Sequence, residues 1–160
     1  MSAPPDLSVQ PLRFLTAYWQ VWQALAARAE GQLSQAHGLD LRAFMALAYI
    51  QGGLSSPGEL AVQLGLPRYV VTRTLDTLSH LHAVERAALP GDGRRQHLSV
   101  TPAGQALWTN ALQTVMAVCQ GPLSPLGPRL DSLTADLEAI ARNAGHTPPR
   151  LQTPLQEDTA

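Results

Sequence analysis

The sequence contains no lysine, only one cysteine and no long apolar run, and each absence is informative. All eleven basic residues are arginines, whose planar guanidinium pairs well with phosphates and carboxylates, although nucleotide bias in a GC-rich genome also accounts for that choice. The lone Cys119 excludes an internal disulfide and agrees with a reducing compartment. No stretch approaches the roughly 18 apolar residues of a membrane span, and the first residues lack a signal-peptide layout. We therefore expect a cytoplasmic protein with no membrane partner.

The charge is low as well. Charged residues make up 14% and hydrophobic residues 45% of the 160 residues, and the net charge is -1. This composition excludes wholesale disorder and a polycationic nucleic-acid binder, and the length suits one domain. Any nucleic-acid site must be a local patch.

Amphipathic helices are predicted near both ends of the chain. Apolar residues recur every three or four positions from Leu12 to Leu33 and from Leu130 to Ile140, with a third stripe from Leu107 to Cys119 on a helix opened by Thr101 and Pro102. Seam-like faces suit subunit pairing, although packing within one chain is the alternative. We expect flexible tails at 1–9 and 145–160, a single domain at 10–144, and dimerisation helices at about 11–37 and 102–144.

The middle of the chain, about 40–101, contains the helix start and stop signals that are typical of a helix-turn-helix. Asp40 can cap a helix that stops at Gly52 and Gly53, and Ser56 begins an S-x-x-E capping box with Pro57 at the first helical position. A further helix is predicted from Pro67 to about Leu81.

After that helix the apolar period changes to two. Gln96 to Val100 alternates polar and apolar residues, Val84 to Leu89 is the expected antiparallel partner, and Pro90 to Gly93 is the predicted turn. The predicted fold is therefore mainly α with a small β-hairpin: a winged helix-turn-helix with terminal dimerisation helices.

The second helix of the pair predicts a DNA contact. Helical spacing places Tyr69, Thr72, Arg73 and Asp76 opposite the apolar Val71, Leu75 and Leu78, and Arg68 stands at the helix start. Such a face can lie in a major groove, where arginine reaches guanine. The alternative is an ordinary solvated helix face.

The hairpin tip carries the remaining basic candidates, Arg94 and Arg95, beside Asp92 and Gly93. An arginine held out by a turn can enter a minor groove, whereas Asp92 is better suited to bracing a neighbouring arginine. From Leu66 to Leu98, five arginines and three acids give +2, so basic charge is locally concentrated.

The stretch GELAVQLGLPRYVVTRTLDTLSHLHAVERAALPGDGRRQHLSVTPAG resembles the DNA-binding core of the MarR family of winged-helix transcriptional regulators. Its marks are ELA-x-x-LGL, V-T-R-x-x-D-x-L, the D-x-R of Asp92 to Arg94, and L-x-V-T-x-x-G. The resemblance implies a homodimeric regulator that binds pseudo-palindromic promoter DNA and is often released by a small aromatic or phenolic effector. It also implies that Arg68, Thr72 and Arg73 match recognition-helix positions and that Arg94 matches the wing arginine.

An effector pocket and several alternatives remain open. Aromatic and polar residues near the junction of the first helix and the DNA-binding lobe could line a pocket, with core packing as the alternative: Trp19, Trp22, His37, Arg42, Phe44 and Tyr49. The histidines are scattered along the chain, so we expect no metal site. The sequence has no phosphate-binding loop and no nucleophile motif, so we expect neither an enzyme nor a cofactor. A thiol sensor acting through Cys119 and a winged helix that binds proteins instead of DNA are the rival functions.

Overall fold

The computed structural model describes residues 9–146, apart from the side chains of residues 92–94. Within that range the chain is mainly helical and has one two-stranded antiparallel hairpin, which confirms the predicted fold class. The elements are α1 (Gln10–His37), α2 (Leu41–Gln51), α3 (Pro57–Leu64), α4 (Arg68–His80), β1 (Val84–Leu89), β2 (Asp92–Val100), α5 (Pro102–Leu123), a 3₁₀ turn (Ser124–Leu126) and α6 (Arg129–Asn143). None of the described helices is long and apolar enough to span a membrane.

Side-chain caps set the starts of three helices. Asp40 Oδ1 accepts from the Ala43 N–H at 2.7 Å, and Ser56 Oγ accepts from the Glu59 N–H at 3.1 Å. Thr101 Oγ1 likewise accepts from the N–H of Gly104, at 2.9 Å. Each bond satisfies a backbone donor that the first helical turn leaves unpaired, so these boundaries follow from local sequence and confirm the predicted caps.

The hairpin has a tighter turn than the sequence suggested. Only Pro90 and Gly91 form it, with Gly91 in the left-handed region at φ 88°, and Asp92 already pairs with Leu89. The register then shifts, because Ala88 pairs with Gln96 and residues 93–95 are extra on the β2 side. The prediction of a four-residue turn was wrong because this bulge, which period-two alternation does not reveal, absorbs the extra residues.

The core lies inside the helix-turn-helix lobe. Leu47, Leu60, Leu75 and Leu78 are almost completely buried where α2, α3 and α4 meet the hairpin. The Leu98 N–H donates to the Ser55 carbonyl at 2.8 Å, which ties the hairpin to the segment between α2 and α3. These contacts fix the wing relative to α4.

The lobe is joined to the terminal helices through α5. Phe44 of α2 stacks on Trp108 of α5 with ring centroids 5.0 Å apart. Near the start of α5, a Cβ added to Gly104 would lie 1.9 Å from the Ala83 carbonyl oxygen, so only glycine permits this approach. Residues 10–24 of α1 are exposed throughout, and α6 buries no residue within the chain. The predicted tails fall mostly at residues 1–8 and 147–160, outside the described part.

Candidate nucleic-acid interface and adjoining pocket

Helix α4 has one buried and one exposed face. Val71, Leu75 and Leu78 fix it to the core, whereas Arg68, Tyr69, Thr72 and Arg73 are exposed. The Tyr69 side chain is 68% exposed, which is unusual for a large aromatic residue in a small domain. All four predicted α4 residues therefore stand on the solvent side of a rigid helix.

The first groove beside α4, here called the helix–wing groove, separates it from the start of α3 and from the hairpin. Its volume is about 570 Å³, and among its lining residues are Ser56, Glu59, Arg68, Thr72, Arg95 and Gln96. It brings the predicted Arg68 and Thr72 together with the predicted wing residue Arg95. The side chains of Asp92, Gly93 and Arg94 lie outside the described ones, so their roles stay predictions.

A second groove, here called the α2–α4 groove, runs along the other side of α4. Its volume is about 460 Å³, and its lining includes Asp40, Arg42, Tyr69, Arg73 and Thr77. Arg42 is exposed and makes no ion pair or hydrogen bond to the described part of the chain. The sequence placed Arg42 only in the effector pocket, because its distance from α4 along the chain conceals its proximity to Arg73.

Arg86 contributes less positive charge to this surface than its position suggests. Its Nη2 donates to Asp76 Oδ1 at 2.5 Å, and its Nε donates to Ser79 Oγ at 3.2 Å. The pair links the C-terminal half of α4 to β1. The local excess of basic charge at the surface therefore rests on the other arginines.

A pocket, here called the α1–α2 pocket, lies where the first helix meets the lobe. Its volume is about 520 Å³, and its lining includes Trp22, Glu30, Asp40, Arg42, Tyr49 and Gln63. Burial raises the pKa of the Tyr49 phenol above its usual value, so that hydroxyl stays protonated at neutral pH. Of the six predicted effector residues, Trp22, Arg42 and Tyr49 meet here.

The other three predicted effector residues lie elsewhere. Phe44 packs on Trp108 in the core, as the core-packing alternative required. His37 Nε2 is 2.8 Å from Thr114 Oγ1 and joins α1 to α5. Trp19 is 57% exposed and lies outside the lining of this pocket. Helical spacing could not separate these residues, because it does not show which neighbour each face meets.

A profile of the MarR family matches residues 37–95, from the end of α1 through the helix-turn-helix and into β2. Over these residues the chain is similar to the MarR family. This is a family of transcriptional regulators, not of enzymes.

Solved structures of transcriptional regulators share the fold over most of this chain. BldR from Sulfolobus solfataricus has 17% sequence identity and a TM-score of 0.76, with 86% of this chain and 99% of that chain covered. A MarR mutant from E. coli, crystallised with operator DNA, has 24% identity and a TM-score of 0.67, covering 88% and 99%. MosR from M. tuberculosis, in complex with DNA, has 26% identity and a TM-score of 0.54, covering 83% and 96%. A comparison with curated protein sequences finds no match.

Thiol chemistry and metal binding depend on two further features of the described residues. Cys119 is partly buried on α5, and burial raises the pKa of its thiol, which lowers the thiolate fraction at neutral pH. Among the side chains that the structure describes, no three of histidine, cysteine, aspartate or glutamate lie close enough together to hold a metal ion.

Proposed function

We propose that this chain is a MarR-type, sequence-specific DNA-binding regulator, acting as a repressor, that binds a pseudo-palindromic promoter site as a homodimer. One observation carries the proposal: the exposed face of α4 stands between two grooves that together display Arg42, Arg68, Arg73 and Arg95.

Helix α4 is the recognition helix of this proposal. An α-helix fits the major groove, where Arg73 can form paired hydrogen bonds with guanine and the Thr72 methyl can contact thymine. Arg68 and Tyr69, on the first turn of α4, would lie beside the same base edges as Thr72 and Arg73. Two transcriptional regulators that share this fold, MarR from E. coli and MosR from M. tuberculosis, were crystallised with DNA, which supports the assignment.

Residues that line the two grooves supply the contacts with the DNA backbone that position the protein on the duplex. Arg95 from the wing side and Arg42 from the start of α2 flank α4, at places where the DNA backbone runs past an inserted helix. At the start of α3, Pro57 has no N–H and the Glu59 N–H donates to Ser56 Oγ. Only the Gly58 N–H is therefore offered at the edge of the helix–wing groove, where the Glu59 carboxylate opposes a phosphate. We assign Arg94 to the minor groove by its match to the family's wing arginine.

The homodimer of the proposal uses the terminal helices. Leu12 is 69% and Ile140 48% exposed, although both belong to apolar stripes, and α6 buries no residue in its own chain. Covering such faces stabilises by about 25 cal/mol per Å² of apolar area. A two-fold dimer would then place its recognition helices roughly 34 Å apart, one DNA turn, and would require an inverted repeat.

Effector control is assigned to the α1–α2 pocket. Asp40, Arg42 and Leu66 line both this pocket and the α2–α4 groove, so a small aromatic molecule bound there lies against residues that also border α4. Release of DNA requires that the effector bind more tightly to a dimer whose recognition helices are wrongly spaced.

Fluorescence anisotropy with a labelled duplex from the gene's own promoter, centred on an inverted repeat, tests the DNA function. A scrambled duplex is the control, and both are titrated from 50 to 200 mM salt. We expect saturable binding that prefers the repeat by at least about 1000-fold and weakens steeply with salt. Equal, weak binding to both duplexes would favour a protein-binding winged helix.

A further inference from the structure

The α1–α2 pocket carries more acidic than basic side chains. Glu30 and Asp40 face it from the end of α1 and the start of α2, and Arg42 is the one basic residue among the described lining. The formal charge of this lining is therefore -1, whereas Arg42 alone would have favoured an anionic ligand.

In each of the Glu30 and Asp40 carboxylates, one oxygen is held by a backbone N–H and the other is available to accept a hydrogen bond. Glu30 Oε2 accepts from the Leu41 N–H at 2.7 Å, and Asp40 Oδ1 accepts from the Ala43 N–H at 2.7 Å. Among the described residues the second oxygen of each has no hydrogen-bond partner. The first oxygens hold both side chains in place, so the second oxygens are preorganised acceptors on two exposed residues that line the pocket.

A third acceptor in the pocket lacks a donor. Gln63 belongs to the lining, and its Oε1 is buried without a hydrogen-bond partner in the part of the chain that the structure describes. A buried unpaired carbonyl costs free energy that a donor from a ligand would recover. Within the described part of the chain, the pocket thus combines three acceptors without a partner with one unpaired guanidinium, that of Arg42.

The rest of the lining is apolar and aromatic. Trp22 of α1 and Tyr49 of α2 present ring surface, and Met45 and Leu64 add aliphatic contact. Aromatic faces attract cations through the ring quadrupole as well as packing against flat apolar bodies.

We propose that the α1–α2 pocket binds a small aromatic cation with N–H donors, such as an amidinium or a protonated amine, in preference to an aromatic acid. The ring lies against Trp22 and Tyr49, and the N–H groups reach the free oxygens of Glu30 and Asp40. Because the cation would be the effector, the inference refines the effector class of the proposed function and rests on it for any consequence at the DNA.

A pair of probes matched in shape tests the charge preference. 2-Naphthamidine and 2-naphthoate share a ring system and a planar head group but differ in charge and in donors. Isothermal titration of the full chain without DNA should give at least about fivefold tighter binding of the amidine, the scale of one charge pair at short range in water. Equal or tighter binding of the naphthoate would overturn the proposal.

Two variants remove charge without removing the helix contacts. Glu30→Gln and Asp40→Asn keep an oxygen that accepts from the Leu41 and Ala43 N–H groups, and asparagine caps helices as well as aspartate does. Each should weaken the amidine about fivefold and leave the naphthoate equal or tighter. Arg42→Gln should tighten the amidine, and Glu138→Gln, an exposed acid on α6, should change neither probe.

The outcomes separate this proposal from the DNA function. Amidine binding that survives in the Glu30→Gln, Asp40→Asn double variant would contradict the assigned acceptors. Failure of both probes to bind would mean that the pocket is filled or closed, for instance by the partner subunit, and would also contradict the proposal. Anisotropy on the same wild-type sample, without probe, reports DNA binding independently of all these results.

Discussion

Arg86 on β1 holds Asp76 on α4 through an Nη2 to Oδ1 contact of 2.5 Å, across the joint between the recognition helix and the wing. The Arg86 side chain is 21% exposed and that of Asp76 is 54% exposed. A carboxylate on the outer face of α4 would repel DNA phosphates. The Arg86 guanidinium offsets this charge, and because it is paired with Asp76 it is less able to attract DNA phosphates itself. The pair also couples the orientation of the helix to that of the hairpin.

Asp76→Asn should tighten DNA binding without increasing the preference for the cognate duplex. The substitution removes a negative charge from the face of α4 and releases Arg86 to attract phosphate, so cognate and scrambled duplexes should both bind more tightly. The slope of log affinity against log salt should steepen by about one. Salt-dependent anisotropy checks this, with Asp136→Asn on α6 as the control. An unchanged slope would show that the pair does not mask charge at the interface.

Gly104→Ala should destabilise the fold. The new methyl group would lie 1.9 Å from the Ala83 carbonyl oxygen, and the neighbouring atoms are backbone that cannot rotate away. We expect a loss of about 3 kcal/mol in the free energy of unfolding, the upper range for overpacking. Gly121→Ala in the same helix meets nothing within 4 Å and should stabilise by up to about 1 kcal/mol. Urea denaturation compares them, and equal stabilities would refute the close approach.

Local signals in the sequence account for most of the fold. The caps at Asp40, Ser56 and Thr101 are side-chain to backbone bonds three residues apart, so spacing alone predicts them. The bulge at residues 93–95 and the bond from Leu98 to Ser55 were not predictable in this way. The bond joins the hairpin to a segment some forty residues earlier, and the bulge leaves no mark in the period-two alternation.

The candidate site was predictable only where one helix carries it. The exposed face of α4 follows from its three- and four-residue spacing, and the structure places Arg68 and Arg73 there. Arg42 beside Arg73, and Arg86 bound to Asp76, arise from packing between elements, which periodicity does not encode. For the same reason the sequence grouped Phe44 with Tyr49, although Phe44 faces Trp108.

The wild-type chain should sediment near 34 kDa, twice its 17.1 kDa mass. Ile140→Glu places a charge on the apolar stripe of α6, where its burial would be costly, and should raise the dimer dissociation constant at least about tenfold. Val62→Glu is the matched control, because Val62 is 75% exposed on α3 and lies outside the terminal helices. A monomeric wild type at micromolar concentration would contradict the dimer, and with it the inverted repeat.

Cys119→Ser should retain DNA binding and any effector response. Burial raises the pKa of the Cys119 thiol, and only the thiolate reacts readily, so the group is poorly suited to sensing peroxide near pH 7. Iodoacetamide should label the native protein more slowly than the unfolded chain at the same pH. Peroxide-dependent release of DNA by the wild type but not by Cys119→Ser would establish a thiol sensor instead.

The central claim, that α4 reads bases in the major groove, is tested most directly by pairing Arg73→Ala with single base-pair changes across the promoter half-site. Anisotropy gives the affinity of wild type and variant for each duplex, and Arg129→Ala, an exposed arginine at the start of α6, serves as the control. We expect Arg73→Ala to lose about 1 to 3 kcal/mol on the cognate duplex and to become indifferent to the base pair at one position, where wild type and Arg129→Ala still discriminate. If Arg73→Ala instead binds every duplex as the wild type does, α4 is not the element that reads DNA.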